Sequence, residues 1–251
     1  MQPSSYASKH PYLFTTFLLL AIIAVYLASG TAVALLKLPN ENLYFIANLA
    51  LALLGALLLT GMRFWKGAGF RALASPRDLR LYWLPFIPVV INLIYGIEIK
   101  SASSLAYYFV LAGMVGFVEE VFFRGLILRT LAPKGSVRAV IISSVLFGLL
   151  HSLNVLGGSN ALYTLLQVAY ALAIGLAFAA ITLRTGAIWP LVIIHALIDF
   201  ASFVASGRVG TSSFTTLDVV IALLTTVAFT AYAAYFMRPT RSPQKPVETA
   251  L

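Results

Sequence analysis

The chain has 251 residues, 61% of them hydrophobic and 10% charged, with a net charge of +9 and no cysteine. A soluble domain carries about a quarter charged residues, so the composition is that of an integral membrane protein. The missing cysteine excludes disulfides, thiolate nucleophiles and cysteine zinc sites, and the positive charge is read by position, because Lys and Arg orient membrane helices.

A polar segment, residues 1–12, ends near Lys9 and His10 and precedes the first apolar run, 13–36. Ala28-Ser29-Gly30 has the look of a signal-peptidase site, but the apolar run continues past it, so a retained helix is expected. A second run covers 43–62. The loop 63–80 then holds Arg63, Lys66, Arg71, Arg77 and Arg80 against Asp78. The third run, 81–97, contains Pro85 and Pro88, which either kink its first turns or mark its start. The fourth spans 104–131 and the fifth 140–153. The sixth, 161–183, carries Ala171, Gly175 and Ala179 four apart, a stripe that lets a neighbouring helix come close. The seventh, 187–205, opens on Trp189-Pro190, and the eighth is 218–237. A polar tail, 238–251, is expected to be flexible.

The expected fold is all-α: a polytopic membrane helical bundle of about eight transmembrane helices over 13–237, with N and C termini cytoplasmic. That topology puts thirteen Lys and Arg on the cytoplasmic side against three outside, Lys37, Lys100 and Arg208, in keeping with the positive-inside bias. No extramembrane segment is long enough for a second domain. The basic residues follow the membrane faces instead of forming one stripe with interleaved aromatics, so a nucleic-acid partner is not expected. The compact chain points to a bacterial-type plasma membrane.

Segment 116–125, GFVEEVFFRG, sets two carboxylates and a guanidinium inside the fourth run. An ionised group near the bilayer centre costs about 3 kcal/mol or more, so this set marks a functional site or an ion cluster bracing the bundle. On a helix Glu120 and Arg124 stand four apart and pair. Glu119 lies about 100° round the helix, beside Phe123, and is the less compensated acid.

Two histidines fall in predicted spans, His151 after Phe147 in FGLLH and His195 before Asp199 in HALID. At about 1.5 Å per residue from the cytoplasmic ends, Glu119 lies roughly 15 Å deep, His151 roughly 20 Å and His195 roughly 12 Å. Taken singly, each histidine reads as a hydrogen-bonded core residue, Asp199 as the group that locks the His195 tautomer, Phe147 as packing and Asn154 as a helix end. Their matching depth on three helices argues for one shared cavity.

Such a set suits hydrolysis. Glu119 and His151 would take a proton from water while His195 donates to the oxyanion on an attacked carbonyl. No serine or threonine stands beside a base, which favours activated water over a covalent intermediate. Zinc is the competing activator, with Glu119, His151 and His195 an adequate ligand set. The HExxH motif is absent, so spacing leaves zinc and a metal-free site both open.

Glu119-Glu120-x-x-x-Arg124, Phe147-x-x-x-His151 and His195-x-x-x-Asp199, in this order and on separate helices, resemble the three motifs of the CPBP family over about 113–203. These are intramembrane proteases related to type II CAAX prenyl endopeptidases, and the Abi proteins of bacteriocin immunity are among them. The resemblance implies a membrane endopeptidase acting on a peptide or lipid-modified protein among membrane lipids. In it Glu119 and His151 activate water, His195 with Asp199 steadies the oxyanion, and Glu120, Arg124 and Phe147 support them. It also implies either zinc or glutamate-dependent chemistry without a cofactor. In the prenyl-endopeptidase branch the third motif tends to end in asparagine, a donor; Asp199 cannot donate when ionised. Two alternatives stand beside the protease. One is a proton- or ion-coupled transporter, since buried Glu, His and Asp also form relays, although no internal repeat or pair of broken helices accompanies them. The other is a non-catalytic membrane protein of the bacteriocin-immunity type.

Overall fold

The structure, a computed structural model, describes residues 5–39, 41–155, 159–207, 209 and 215–238. All regular elements among them are helical. Helix α1 (Ser5–Lys9) lies within the expected polar segment and leads into α2 (Pro11–Leu35), where Pro11 occupies a first-turn position that needs no N–H. Then come α3 (Glu41–Gly61), the short α4 (Trp65–Ala68), a 3-10 segment (Pro76–Tyr82) and α5 (Trp83–Ile94). Helix α6 (Ala102–Glu119) runs without a break into a π-helical segment (Glu120–Leu128) and a last turn, α7 (Arg129–Leu131). Helix α8 (Ser136–Leu150) ends in a 3-10 segment (His151–Val155) and is followed by α9 (Ala161–Thr185), α10 (Trp189–Ser206) and α11 (Thr216–Met237). Apart from Arg238, the expected tail lies outside the described residues.

Six helical stretches are long and apolar enough to cross a membrane: α2, α3, α8 with its 3-10 extension, α9, α10 and α11. They fall on six of the eight expected runs. The third run is shorter than expected: α5 has 12 residues, about 18 Å, against a hydrocarbon core of about 30 Å. Its start is set by the preceding 3-10 segment, capped by Ser75 and Asp78, and Gly96 at φ +113° follows its last turn. The fourth run is one continuous helical stretch whose winding changes at its acids.

Large apolar side chains such as Phe17 (60% exposed), Leu57 and Leu224 stand uncovered on α2, α3 and α11. Contiguous exposure of this kind belongs in lipid, and the protein is an integral membrane protein. Of the six long stretches, α9 is the most buried, with 56% of its apolar window covered against 17% for α11. It separates a cluster around Leu51, Phe122 and Val140 from one around Phe178, Leu191 and Phe229. The small-residue stripe makes that position possible: a Cβ on Gly175 would lie 3.1 Å from Ser144 of α8. Asn160 caps the first turn of α9, accepting from Leu162 and Tyr163 N–H. Gly186, at φ +74°, ends it, and its carbonyl accepts from Arg71 and Arg129 at 2.9 and 2.8 Å. Two cations thereby face the negative end of the helix.

The contact that positions the site is between α6 and α10. A Cβ on Gly116 would lie 2.7 Å from both the Ala196 nitrogen and the Val192 oxygen. Only glycine admits this approach, and one turn further on it delivers Glu119 and Glu120 to His195.

Candidate active site

The π winding begins where the acids are. With i→i+5 bonding the helix widens, and successive residues are separated by less than the about 100° of an α-helix. Glu119, the last residue of α6, and Glu120, the first of the π segment, both reach His195 of α10. The turn is braced from α8, where the buried Ser143 hydroxyl donates to the Phe123 carbonyl at 2.9 Å.

Glu120 is fully buried and Arg124 is 1% exposed. The expected i,i+4 pair is formed, Arg124 Nη1 donating to Glu120 Oε1 at 2.9 Å. The same oxygen accepts from His195 Nδ1, also at 2.9 Å. Beyond the ion pair, the guanidinium carbon lies 4.3 Å from the Phe147 ring centroid and 5.4 Å from that of Phe178, so two aromatic faces flank the cation. Phe147 also meets His151 and His195 edge-on, at 4.9 and 6.2 Å between centroids. It is more than filler: it sets the spacing between the two imidazoles and the cation.

The other nitrogen of His195, Nε2, lies 3.2 Å from Glu119 Oε2 and 3.9 Å from Asp199 Oδ2. Neither oxygen is aligned for a hydrogen bond, and both are buried. The contact is attractive only if a proton lies on Nε2 or on one of the acids, since a bare ring lone pair would face two carboxylates. Asp199, whose plain reading is to satisfy the His195 ring N–H, lies 3.9 Å from Nε2, while Glu120 holds Nδ1.

His151 caps the end of α8. Its Nδ1 lies 2.9 Å from the Phe147 carbonyl; an oxygen of that kind only accepts, so Nδ1 carries the proton and Nε2 is left as an acceptor. Asn154, expected as a helix end, donates to Gln167 of α9 at 2.8 Å and ties the 3-10 segment to that helix. Glu119, His151, His195 and Asp199 all line one cavity of about 610 Å³ whose walls come from α2, α3, α6, α8, α9 and α10. Two residues of that wall carry no signal beyond being polar in an apolar run: Tyr26 on α2 and Asn48 on α3. Asn48, 2% exposed, lies in an otherwise apolar stretch of the second run, and that contrast was the available clue.

Among the described residues no group of three or more His, Cys, Asp or Glu side chains is arranged to hold a metal ion. Of the set considered for zinc, His195 gives Nδ1 to Glu120 and turns Nε2 toward Glu119 and Asp199, the orientation that a carboxylate-backed histidine ligand also takes.

Fold and site together define a polytopic membrane protein with an ionisable cavity enclosed by its helices. Residues 101–201 match the family described as Type II CAAX prenyl endopeptidase Rce1-like, so the family recognised in the three motifs is the one this segment matches, and it is a family of proteases. The matched segment runs from the cap of α6 into α10 and contains all seven motif residues; α2, α3 and α11 lie outside it. No curated protein and no solved structure matches the chain.

Proposed function

We propose that the protein is an intramembrane endopeptidase that hydrolyses a peptide bond of a membrane-associated or lipid-modified protein. The observation that carries this reading is the approach of Glu119 to His195 in a cavity that His151 also lines. Water held between Glu119 and His151 meets two acceptors, the carboxylate and the bare Nε2, and loses its proton to one of them as its oxygen bonds the substrate carbonyl carbon. The carbonyl electron pair moves to oxygen. His195, held from behind by Glu120 and Arg124, donates through Nε2 to that oxyanion, with Asp199 beside it. The proton then passes to the leaving nitrogen as the C–N bond breaks. A positioned base contributes about 10²–10⁴-fold and an oxyanion donor about 10²–10³-fold. No step is routed through a metal.

Apolar wall residues including Ile22, Leu27, Leu43 and Leu51 suit a lipid-modified substrate, as the family description also suggests. Eight crossings with both ends cytoplasmic remain the topology that the thirteen-to-three distribution of basic residues supports, in a plasma membrane of bacterial type. The test is cleavage of a membrane-anchored reporter peptide by the protein in proteoliposomes. Glu119→Ala is expected to bind the peptide and not cut it. Unchanged cleavage by that variant refutes the assignment, and ion or proton flux without any proteolysis would favour a transporter.

A further inference from the structure

We infer that Tyr26 is a further catalytic residue, whose hydroxyl proton meets the developing oxyanion, and that Asn48 is the positioning residue that aims it. The inference rests on the endopeptidase reading and deepens it.

The acids and imidazoles of this cavity offer few donors. Glu119, Glu120 and Asp199 only accept when ionised. His151 spends its N–H on the Phe147 carbonyl, and His195 spends Nδ1–H on Glu120. Of these groups, only His195 Nε2 is left to face an oxyanion, and it already faces two acids. A tetrahedral oxyanion accepts more than one hydrogen bond, and each donor aimed at it counts for more in a site shielded from water.

Helices α2 and α3, outside the matched segment 101–201, provide a further donor. Tyr26 and Asn48 line the same cavity as Glu119, His195 and Asp199. Asn48 Nδ2 donates to the Tyr44 carbonyl one turn back at 2.9 Å, which fixes the amide. Its second hydrogen is directed at the Tyr26 oxygen, 3.5 Å away, the long limit for such a bond. An amide N–H cannot accept, so Tyr26 is the acceptor in this contact and its own proton points elsewhere. Among the described residues no group accepts that proton. A buried amide inside an apolar helix is costly at membrane depth, and orienting a phenol is work that accounts for its place.

In the step concerned, the water oxygen bonds the carbonyl carbon, the water proton goes to Glu119 or His151, and the carbonyl electron pair settles on oxygen. That oxygen then accepts from Tyr26 O–H as well as from His195. Tyr26 keeps its proton throughout and is unchanged when the C–N bond breaks.

The experiment measures kcat and KM for the reporter peptide in proteoliposomes, with SDS unfolding midpoints as the folding control. Tyr26→Phe removes one oxygen and is expected to lower kcat by about 10²- to 10³-fold, with KM within about threefold of wild type. Asn48→Ala is expected to lower kcat by about 5- to 10-fold alone and to add nothing in the Tyr26→Phe background, the non-additivity of residues acting through one group. A Tyr26→Phe kcat within twofold of wild type overturns the inference, as does a change confined to KM, or an Asn48→Ala loss that persists without the hydroxyl. If Glu119→Gln is dead while Tyr26→Phe is fully active, only this inference fails. A wild type that cuts nothing, or a Glu119→Gln variant that still cuts, removes the endopeptidase reading and this inference together.

Discussion

Replacing Glu120 by glutamine changes almost no volume and removes the one charge on which both Arg124 and His195 depend. Arg124 is 1% exposed and Glu120 is fully buried, and a single oxygen, Oε1, accepts from both partners. With the carboxylate gone, the guanidinium stays between Phe147 and Phe178 with no adjacent counter-ion. Those rings do not offset the loss, because they flank the cation equally in wild type. Breaking a buried pair from one side costs about 3–5 kcal/mol, a large share of the about 5–15 kcal/mol that holds a typical fold. Glu120→Gln is therefore expected to lose that amount in SDS-titrated unfolding followed by circular dichroism. Glu120→Gln with Arg124→Met removes both charges and should regain at least half, since neutral replacement of a whole buried pair is often close to neutral. Cleavage separates the two roles of the carboxylate. In both variants His195 Nδ1 no longer faces an anion, and a loss of at least about 100-fold is expected, given that asparagine for aspartate behind a triad histidine costs about 10⁴-fold. A single variant stable to within about 1 kcal/mol of wild type refutes the ion-pair argument. A double variant that cleaves normally refutes the claim that Glu120 orients His195.

Asp199→Asn is expected to keep cleavage within about tenfold of wild type, because among the described residues Asp199 Oδ2 has no hydrogen-bond partner and lies 3.9 Å from the His195 ring nitrogen; a loss beyond about 100-fold would point to an essential acidic role. Gly116→Val should lower both stability, by about 1–3 kcal/mol, and cleavage, since its Cβ would meet α10 backbone at 2.7 Å; Gly113→Ala, where nothing lies within 4 Å, is the matched control and should change neither. Equal effects at the two glycines would refute the close-approach account.

The lengths of the apolar runs were enough to foresee six long helices, because a chain in lipid must satisfy its backbone within each segment and a helix has to be as long as the bilayer is thick. Lengths alone could not foresee α5. Its run is as apolar as the others, but the 3-10 segment capped by Ser75 takes its start and Gly96 lies just beyond its end, and both are local backbone choices within an apolar stretch. The pairing of Glu120 with Arg124 was legible for the same reason as the helices: four-residue spacing is a short-range relation.

The partner of His195 is a different kind of fact. Four-residue spacing nominated Asp199, and within α10 nothing contradicts it; the choice is made by another helix. Gly116 lets the α6 backbone reach α10, and where the winding changes to π two consecutive acids meet one ring. Neither the depth of the approach nor i→i+5 bonding leaves a trace in apolar periodicity, since the same residues would suit an α-helix equally well. Tyr26 and Asn48 escaped notice on the same principle. Each is an uncharged polar residue in an apolar run, and their relation to Glu119 exists only once α2, α3 and α6 share a cavity wall. The acids and imidazoles could be nominated from the chain because ionisable groups are costly in lipid wherever they lie; a phenol is cheap enough there to pass as packing, so its task is readable only from the direction its proton takes.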